Sequence, residues 1–430
     1  MLKNRRNPAP GAAVPGTVPG GAVPGKTVPI VVGAVLILLT AACSGGTLTQ
    51  STVTGTGAAV ISSRQDQCGT VPTVAVKDPD GAAANLPAAY QTGYNGYTGT
   101  VYTSRWDDWK PATRGPYTIG ISISAETNPF EIELLNSLKQ YLSAQSNIGK
   151  IITLVSSNNA SDQLSQFKSL IAQRVTMIIY QPLSPDAFTS VVDEAAADGI
   201  PSMSVLNTTP DPNTVNLAIN GFLQGAEEGS AVAKAIGGKG TVLGVHGIPG
   251  VAIDTDTFVG IRAALALCPD ITLVDSVTGE FQDSVAQTAV GQYLKTNPRT
   301  TISAVVESGP MTTGIMSAFQ EAGRSVPTVA DAGAEKGALA YWSEHRSSYQ
   351  GVAIGNGAPS LAFAAVQVAE RMLAGDGIKV SDIPLAPVLI TPGNLSQWVS
   401  PDWTFSTQGT ASGPVSSLVP AGLLNAVFSR

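Results

Sequence analysis

The chain has 430 residues, of which 13% are charged and 43% hydrophobic, and its formal net charge is −7. A chain of this length can bury a large core, so more than one lobe is expected. The acidic balance argues against nucleic acid or an anionic lipid surface as a partner, because both are negatively charged themselves.

The N-terminal segment has the layout of a bacterial lipoprotein signal peptide. Four basic residues precede an apolar run over 30–38, and small residues follow up to Cys43. The run is shorter than the roughly 20 apolar residues that a membrane-spanning helix needs. We therefore expect residues 1–42 to be removed and Cys43 to carry a lipid, which tethers the chain to the extracytoplasmic face of the membrane. A plain membrane anchor with an unmodified Cys43 is the alternative.

Residues 43–116 are expected to form a flexible tether and then an aromatic-rich strap. Small and polar residues dominate as far as about Ser63, which is typical of a tether. Six Tyr and Trp side chains then lie between 90 and 109, and they should pack on the body because exposed rings are poorly hydrated. Cys68 and Cys268 are candidates for a disulfide in an oxidising compartment, and the sequence alone leaves that pairing open.

From Tyr117 onward, short apolar runs alternate with amphipathic stretches of helical length. Examples of the apolar runs are YTIGISIS, TMIIYQP, TVLGVHG and ISAVVES. Such runs are typical of strands buried on both faces, and their alternation with helices predicts parallel sheets covered by helices. About ten strands are too many for one open sheet, so two such domains are expected.

Proline follows several predicted strands at the position where a helix should begin. The four sites are Asn128-Pro129, Ser184-Pro185, Gly309-Pro310 and Ala358-Pro359. Proline suits a first helical residue because it has no amide hydrogen, and Asn128 and Ser184 are suited to cap the helices that follow. Turns of this kind lie beyond the carboxyl ends of parallel strands, where open α/β sheets bind ligands.

An ordered set of motifs extends from about Tyr117 to Leu395. Its members are Ser124 with 127–130, 178–187 (IIYQPLSPDA), 199–201 (GIP), Gly225, 238–240 (GKG) and 247–250 (GIPG). In order and spacing these motifs resemble the sugar-type periplasmic substrate-binding proteins of ABC importers, most closely the ribose-binding branch of the type I periplasmic-binding fold.

The resemblance implies an α/β fold of two Rossmann-like parallel-sheet lobes joined by a three-crossing hinge, with an irregular N-terminal extension. The N-terminal lobe would comprise 117–219 and 357–385. The C-terminal lobe would comprise 220–356 and 386–395, followed by a C-terminal extension over 396–430.

The resemblance also implies how such a protein works. A ligand is caught as the lobes close about a hinge near Asn220, Asn356 and Leu385, and it is delivered to an ABC permease in the membrane. The expected partners are this permease and a small molecule. The protein is expected to be a monomer without a cofactor.

Pocket residues follow from the same resemblance, position by position. In the first lobe they are Ser124, Asn128, Phe130, Glu131, Gln181 and Asn207. In the second lobe they are Asp256 or Thr257, Phe281, Glu307, Asp331 and Asn356. Amides and carboxylates pair well with hydroxyl groups, and aromatic rings cover the apolar face of a sugar.

The sequence departs from the ribose-binding pattern where that pattern usually has arginines. Asn207 and Thr257 lie at or near those two positions. Acidic side chains, among them Asp254, then outnumber cations around the predicted cleft. This balance disfavours a phosphorylated or carboxylated ligand and favours a neutral polyhydroxy compound such as a sugar or polyol.

Enzymatic motifs receive little support. Ser165 and Lys168 have the Ser-x-x-Lys spacing of penicillin-binding enzymes, but no partner motif accompanies them. His246 and His345 have no neighbours at metal-ligand spacing. We therefore expect no enzyme and no metal site, with a serine hydrolase as a minor alternative. A sensory lipoprotein that presents its ligand to a membrane receptor would use the same fold and stays open as an alternative.

Overall fold

The computed structural model describes residues 67–124, 129–414 and 418–430, and within them the chain forms two six-stranded sheets. The strands of the first sheet are β1 (Tyr117–Ile123), β2 (Ile148–Val155), β3 (Met177–Tyr180), β4 (Ser202–Val205), β5 (Thr214–Ile219) and β11 (Asp382–Leu385). The strands of the second sheet are β6 (Lys239–His246), β7 (Asp270–Thr278), β8 (Ala304–Glu307), β9 (Thr328–Asp331), β10 (Val352–Ile354) and β12 (Leu389–Ile390).

The two sheets repeat one topology. Their strand orders are β11-β5-β4-β3-β1-β2 and β12-β10-β9-β8-β6-β7, and every neighbouring pair is parallel except β10 with β12. The chain passes between the sheets after β5, after β10 and after β11. The predicted α/β class with two parallel-sheet lobes and three crossings is confirmed.

Helices cover the faces of both sheets. They are α2 (Pro129–Ser143), α3 (Ala160–Ala172), α4 (Thr189–Ala197), α5 (Gly221–Ala235), α6 (Ala252–Leu265), α7 (Asp283–Thr296), α8 (Thr312–Glu321), α9 (Lys336–Glu344) and α10 (Ala358–Leu373). Two short helices, α1 (Ala88–Gln91) and α11 (Ala421–Val427), lie in the N-terminal and C-terminal extensions. In the first lobe α2 packs on α10, and in the second lobe α5 packs on α6 and α7 packs on α8. Two buried apolar clusters per lobe fill the space between sheet and helices.

Burial on both faces explains why the strands have near-continuous apolar sequences. In β1 the side chains of Ile119, Ile121 and Ile123 are fully buried, and Ser122 on the opposite face is buried as well. A strand with helices on both sides has no solvent-facing positions, so it lacks the polar and apolar alternation of a surface strand. The same reasoning applies to β3, β4, β5 and β8, whose residues are all buried.

The predicted helix starts differ in outcome. At Ser184-Pro185 a helical segment begins at the predicted proline, as a 3₁₀ turn over Pro185–Phe188 that leads into α4, although Ser184 makes no side-chain capping bond. The start predicted at Pro310 was wrong. After Gly309-Pro310 the helix begins only at Thr312, because the Glu335 carboxylate from another loop accepts the first helical N–H groups. A carboxylate at that position satisfies backbone donors that have no partner inside the helix. The predicted cap Asn128 lies outside the described residues.

The segments outside the two sheets pack on the lobes. Cys68 and Cys268 form a disulfide with an S–S distance of 2.05 Å. The rings of Tyr94, Tyr97 and Trp106 are buried in the core of the first lobe, together with residues of α11. In the parts of the chain described above, no helix has the length and apolar character needed to cross a membrane.

Candidate functional site

The carboxyl ends of the strands in the two sheets face each other. Glu133 lies in the first part of α2, directly after β1, and Lys336 begins α9, which follows β9. The Lys336 Nζ and Glu133 Oε1 atoms are 3.5 Å apart, so the two edges are in contact. In each sheet the strand order reverses beside the first strand, β1 or β6. Open α/β sheets bind ligands at such reversal points.

Three predicted pocket residues line the edge of the first sheet. Ser124 follows β1, Gln181 follows β3 and Asn207 follows β4. Asn207 Nδ2 donates to the Pro182 carbonyl at 3.1 Å, which joins two neighbouring turns. Gln181 is 2% exposed, and its Oε1 has no hydrogen-bond partner among the described residues. A buried amide oxygen of this kind is suited to accept a hydrogen bond from a ligand.

Phe130 and Glu131 lie in the first turn of α2, at the same edge. Both side chains are half-buried, and Phe130 packs partly against the core of the first lobe. Their position agrees with the prediction that they face a ligand, although contact with one stays a prediction. Asn128 cannot be compared because it lies outside the described residues.

In the second lobe, Phe281 covers the ends of β6 and β8. Its Cζ would lie 2.0 Å from a Cβ atom added to Gly247, and its Cδ1 would lie 2.6 Å from one added to Gly309. Both positions therefore require glycine beneath this ring. Phe281 itself has a φ of 57°, a left-handed backbone conformation that costs energy for a residue other than glycine.

A polar network lies beside Phe281, and of its members only Asp254 had been expected around the cleft. Asp254 Oδ1 accepts hydrogen bonds from Gly247 N at 2.7 Å and from Ser308 Oγ at 2.5 Å. Asp254 Oδ2 lies 2.9 Å from Nδ1 of His246, whose ring stacks on Phe258 at 3.6 Å. Asp254 and His246 flank the turn between β6 and α6. Their position at this turn could have identified them from the sequence as candidate pocket residues, because such sheets bind ligands at the strand-to-helix turn.

Asp256 and Thr257 occupy different surroundings from each other. Asp256 Oδ2 accepts a hydrogen bond from Thr98 Oγ1 at 2.7 Å, so its carboxylate contacts the N-terminal extension. Thr257 is fully buried, and its carbonyl oxygen would lie 1.8 Å from a Cβ atom added to Gly225 of α5. Thr257 therefore packs between two helices of the second lobe. Contact of either residue with a ligand stays a prediction.

Glu307 and Asp331 hold the loops at the edge of the second sheet. Glu307 Oε1 accepts hydrogen bonds from Thr312 Oγ1 at 2.6 Å and from Ala332 N at 3.1 Å. Asp331 accepts from Gly333 N and Glu335 N within its own loop. Unlike Oε1, the Glu307 Oε2 atom has no hydrogen-bond partner among the described residues.

Burial controls the charge of this carboxyl cluster. Burial raises the pKa of Asp331 to about 7. Burial, with the added repulsion of neighbouring carboxylates, raises the pKa values of Glu307 and Glu335 well above the ordinary value for glutamate. Near neutral pH the cluster therefore holds protons, and its protonated carboxyl groups can donate hydrogen bonds as well as accept them.

Asn356 lies at the second crossing between the sheets. Its Nδ2 donates to Gln224 Oε1 of α5 at 2.7 Å, and its Oδ1 has no partner among the described residues. Within those same residues, no group of three or more His, Cys, Asp or Glu side chains is arranged to hold a metal ion.

Sequence comparisons identify relatives of this chain. The xylitol-binding protein of Mycolicibacterium smegmatis is 28% identical over 248 residues, which cover 57% of this chain and 70% of that protein. The ribose import binding protein RbsB of Bacillus subtilis is 24% identical over 244 residues, covering 56% of this chain and 78% of that protein.

Solved structures share the fold. An ABC transporter periplasmic solute binding protein from Actinobacillus succinogenes, with bound D-allose, superposes with a TM-score of 0.59 at 22% identity. The superposition covers 66% of this chain and 100% of that chain. A family model described as the periplasmic binding protein domain matches residues 119–377, which span both lobes. The chain therefore belongs to the periplasmic binding protein domain family.

Proposed function

We propose that the protein binds a small neutral polyhydroxy compound, a sugar or a polyol, between its two lobes and delivers it to an ABC permease. The observation that carries this proposal is the family match over 119–377. Relatives named for binding xylitol and ribose support the ligand class. We infer from the family description that the protein acts outside the cytoplasm.

The chemistry at the two sheet edges fits this ligand class. The unpartnered Gln181 Oε1 and the Asp254, His246 and Ser308 network supply acceptors and donors of the kind that hydroxyl groups pair with. The half-buried ring of Phe281 supplies an apolar surface for C–H groups. The groups named here include no Arg or Lys side chain that would pair with a phosphate or carboxylate, so we infer an uncharged ligand.

A thermal-shift screen of the mature protein tests the proposal. The compounds are pentitols, aldoses and inositols, with sugar phosphates and amino acids as controls. A compound present at 100 times its Kd stabilises the native state by about 2.7 kcal/mol, so a specific ligand raises the Tm visibly. We expect a rise with an uncharged sugar or polyol and none with sugar phosphates. A rise with amino acids or phosphorylated compounds alone would contradict the proposal.

We also propose that the mature chain is anchored by a lipid on Cys43 and is otherwise monomeric. The support is the signal-like sequence up to Cys43, which lies outside the described residues. Replacing Cys43 with alanine should move the protein from the membrane fraction to the soluble fraction and remove the acyl mass. Unchanged membrane retention of Cys43→Ala would refute the anchor.

The lobe boundaries follow from the crossings between the sheets. We propose a first lobe of 117–219 with 357–385 and a second lobe of 220–356 with 386–395. The changes of sheet after β5, β10 and β11 support these limits. On ligand binding, distances between labels within one proposed lobe should stay fixed, whereas distances between the two lobes should change.

A further inference from the structure

The N-terminal extension connects the two lobes independently of the three crossings. It is fixed to the second lobe by the Cys68–Cys268 disulfide and by the hydrogen bond from Ser230 Oγ to the Gly69 carbonyl. Further along, Trp106 Nε1 donates to the Asn213 carbonyl of the first lobe at 2.9 Å. Residues 69–106 therefore pass from one lobe to the other.

At its centre, two consecutive residues of this segment are hydrogen-bonded to different lobes. Tyr97 donates to Asp382 of β11 in the first lobe at 2.8 Å, and the next residue, Thr98, donates to Asp256 of α6 in the second lobe at 2.7 Å. Consecutive Cα atoms are about 3.8 Å apart, so the two aspartates cannot separate by more than a few ångströms without losing a hydrogen bond. Asn220, where the first crossing begins, donates to the Gly93 and Asn95 carbonyls of the same segment.

The C-terminal extension forms a second connection between the lobes. Thr410 pairs with Glu335 in an isolated antiparallel bridge in the second lobe, and Ala411 N donates to the Ala334 carbonyl at 2.8 Å. The Thr410 hydroxyl donates to Glu133 Oε2 of the first lobe at 3.0 Å. Residues 418–428 then join the core of the first lobe, where Phe428 pairs with Ile378.

We propose that the two extensions act as a hinge clamp, defined as residues 67–116 and 396–414, which restricts how far the lobes can open. Both clamp segments contact residues next to a crossing: Asn220 for the first, and Gly357 for the second, where an added Cβ atom would lie 2.4 Å from the Ala411 carbonyl oxygen. Rotation of the lobes about the hinge must therefore break clamp contacts or bend the clamp. The Cys68–Cys268 disulfide keeps the first clamp segment attached to the second lobe when the hydrogen bonds of that segment break.

Distance measurements between the lobes test the hinge clamp without any ligand. Spin labels are placed on Ala172→Cys in the first lobe and Ala322→Cys in the second, both exposed, in a Cys43→Ala background. In the parent we expect one narrow distance distribution. The double variant Thr98→Val with Thr410→Val should broaden it by several ångströms toward longer distances, because both cross-lobe hydroxyl contacts are removed.

Thr92→Val is the matched control. Thr92 is exposed like Thr98, but its hydroxyl donates to the Ala89 carbonyl within the extension itself. The control should leave the distribution unchanged. The disulfide-free variant Cys68→Ser with Cys268→Ser should broaden the distribution further, and circular dichroism with thermal unfolding reports whether it still folds.

Two outcomes would overturn the hinge clamp. One is an unchanged distance distribution in the folded Thr98→Val and Thr410→Val double variant. The other is equal broadening in Thr92→Val, which would show that loss of any hydroxyl contact loosens the lobes. Since no ligand is added, neither outcome depends on whether the proposed sugar or polyol binding is right.

Discussion

Phe281 shows how a single residue shapes the edge of the second sheet. Its backbone is left-handed, with a φ of 57°, and its ring lies directly over Gly247 and Gly309. The preceding residue, Glu280, has a φ of 56°, so two successive residues adopt a conformation that side chains disfavour. Packing of the ring on the two glycines holds this turn at the ends of β6 and β8.

Phe281→Ala should therefore weaken ligand binding without unfolding the protein. Loss of the apolar contact should cost about 1–3 kcal/mol of binding free energy, which raises Kd about 5- to 150-fold. Phe130→Ala should act in the same direction from the first lobe. Isothermal titration with the compound found in the thermal-shift screen measures both effects.

Phe363→Ala serves as the control for these two variants. Its ring is half-buried like that of Phe281, but it lies in α10 and packs near Tyr141 of α2, with ring centroids 5.7 Å apart. We expect Phe363→Ala to bind with the Kd of the parent. If Phe281→Ala and Phe130→Ala both bind as the parent does, the predicted pocket is wrong.

The buried carboxyl groups make stability depend on pH. Burial raises the folded-state pKa of Asp331 to about 7 and of Asp382 to about 6, and raises that of Glu307 well above its ordinary value. The native state then binds more protons than the unfolded state above about pH 4. The free energy of unfolding should consequently fall as the pH rises from about 5 to about 8.

Glu307→Gln should flatten this fall. The neutral amide keeps an oxygen that can accept from Thr312 and Ala332, but it cannot become charged. Denaturant unfolding at pH 5 and pH 8 gives the slope. Glu321→Gln, an exposed position on α8, is the control and should keep the slope of the parent. An identical slope for Glu307→Gln and the parent would show that Glu307 binds no more protons in the native state than in the unfolded state over this range.

At the scale of elements, α5 and α6 form a closely packed helix pair in the second lobe. A Cβ atom on Gly225 would lie 1.8 Å from the Thr257 carbonyl oxygen, and one on Gly260 would lie 2.0 Å from the Phe222 carbonyl oxygen. Each helix therefore places a glycine against the backbone of the other. This contact fixes the start of α5, which follows directly from the first crossing at Asn220.

Gly225→Ala should destabilise the protein because the two helix backbones must separate. We expect a loss of about 2–4 kcal/mol in the free energy of unfolding. Gly291→Ala is the matched control: Gly291 lies inside α7, and a Cβ atom there would meet nothing within 4 Å. Alanine should stabilise that helix by about 0.5–1 kcal/mol. Urea unfolding compares the two, and equal effects would contradict the close-packing argument.

At the scale of the whole molecule, two lobes with one repeated topology present their carboxyl edges to each other. A crevice between lobes can bury most of a small polar molecule and still release it, provided that the lobes move. The three crossings near Asn220, Asn356 and Leu385 are the predicted hinge. The hinge clamp adds two contacts to these crossings and should make the motion smaller.

Ligand should shift the lobes toward a closed arrangement according to its differential affinity for that arrangement. Small-angle scattering of the mature protein should show a lower radius of gyration when the ligand is saturating. A sugar phosphate that gives no thermal shift is the control and should leave the radius unchanged. A radius that stays constant at saturation would argue against a closing binder and for a rigid receptor.

The sequence by itself determined the two α/β lobes. Apolar runs such as YTIGISI predict doubly buried strands, because burial on both faces leaves no polar positions along the strand. It also predicted the strand-to-helix turns as the place for a ligand, and residues such as Phe281 and Gln181 lie at those turns, although their contact with a ligand stays a prediction. These features depend on local periodicity, which can be read directly from the sequence.

Only the tertiary structure decided which polar groups meet. The Ser308 contact with Asp254 joins positions 54 residues apart, and the Thr98 contact with Asp256 joins positions 158 apart. The Cys68–Cys268 disulfide spans 200 residues. Periodicity indicates which face of an element is apolar, but not which distant element covers that face. The Asp254 network and the hinge clamp consist of contacts between distant elements, so only the tertiary structure determines them.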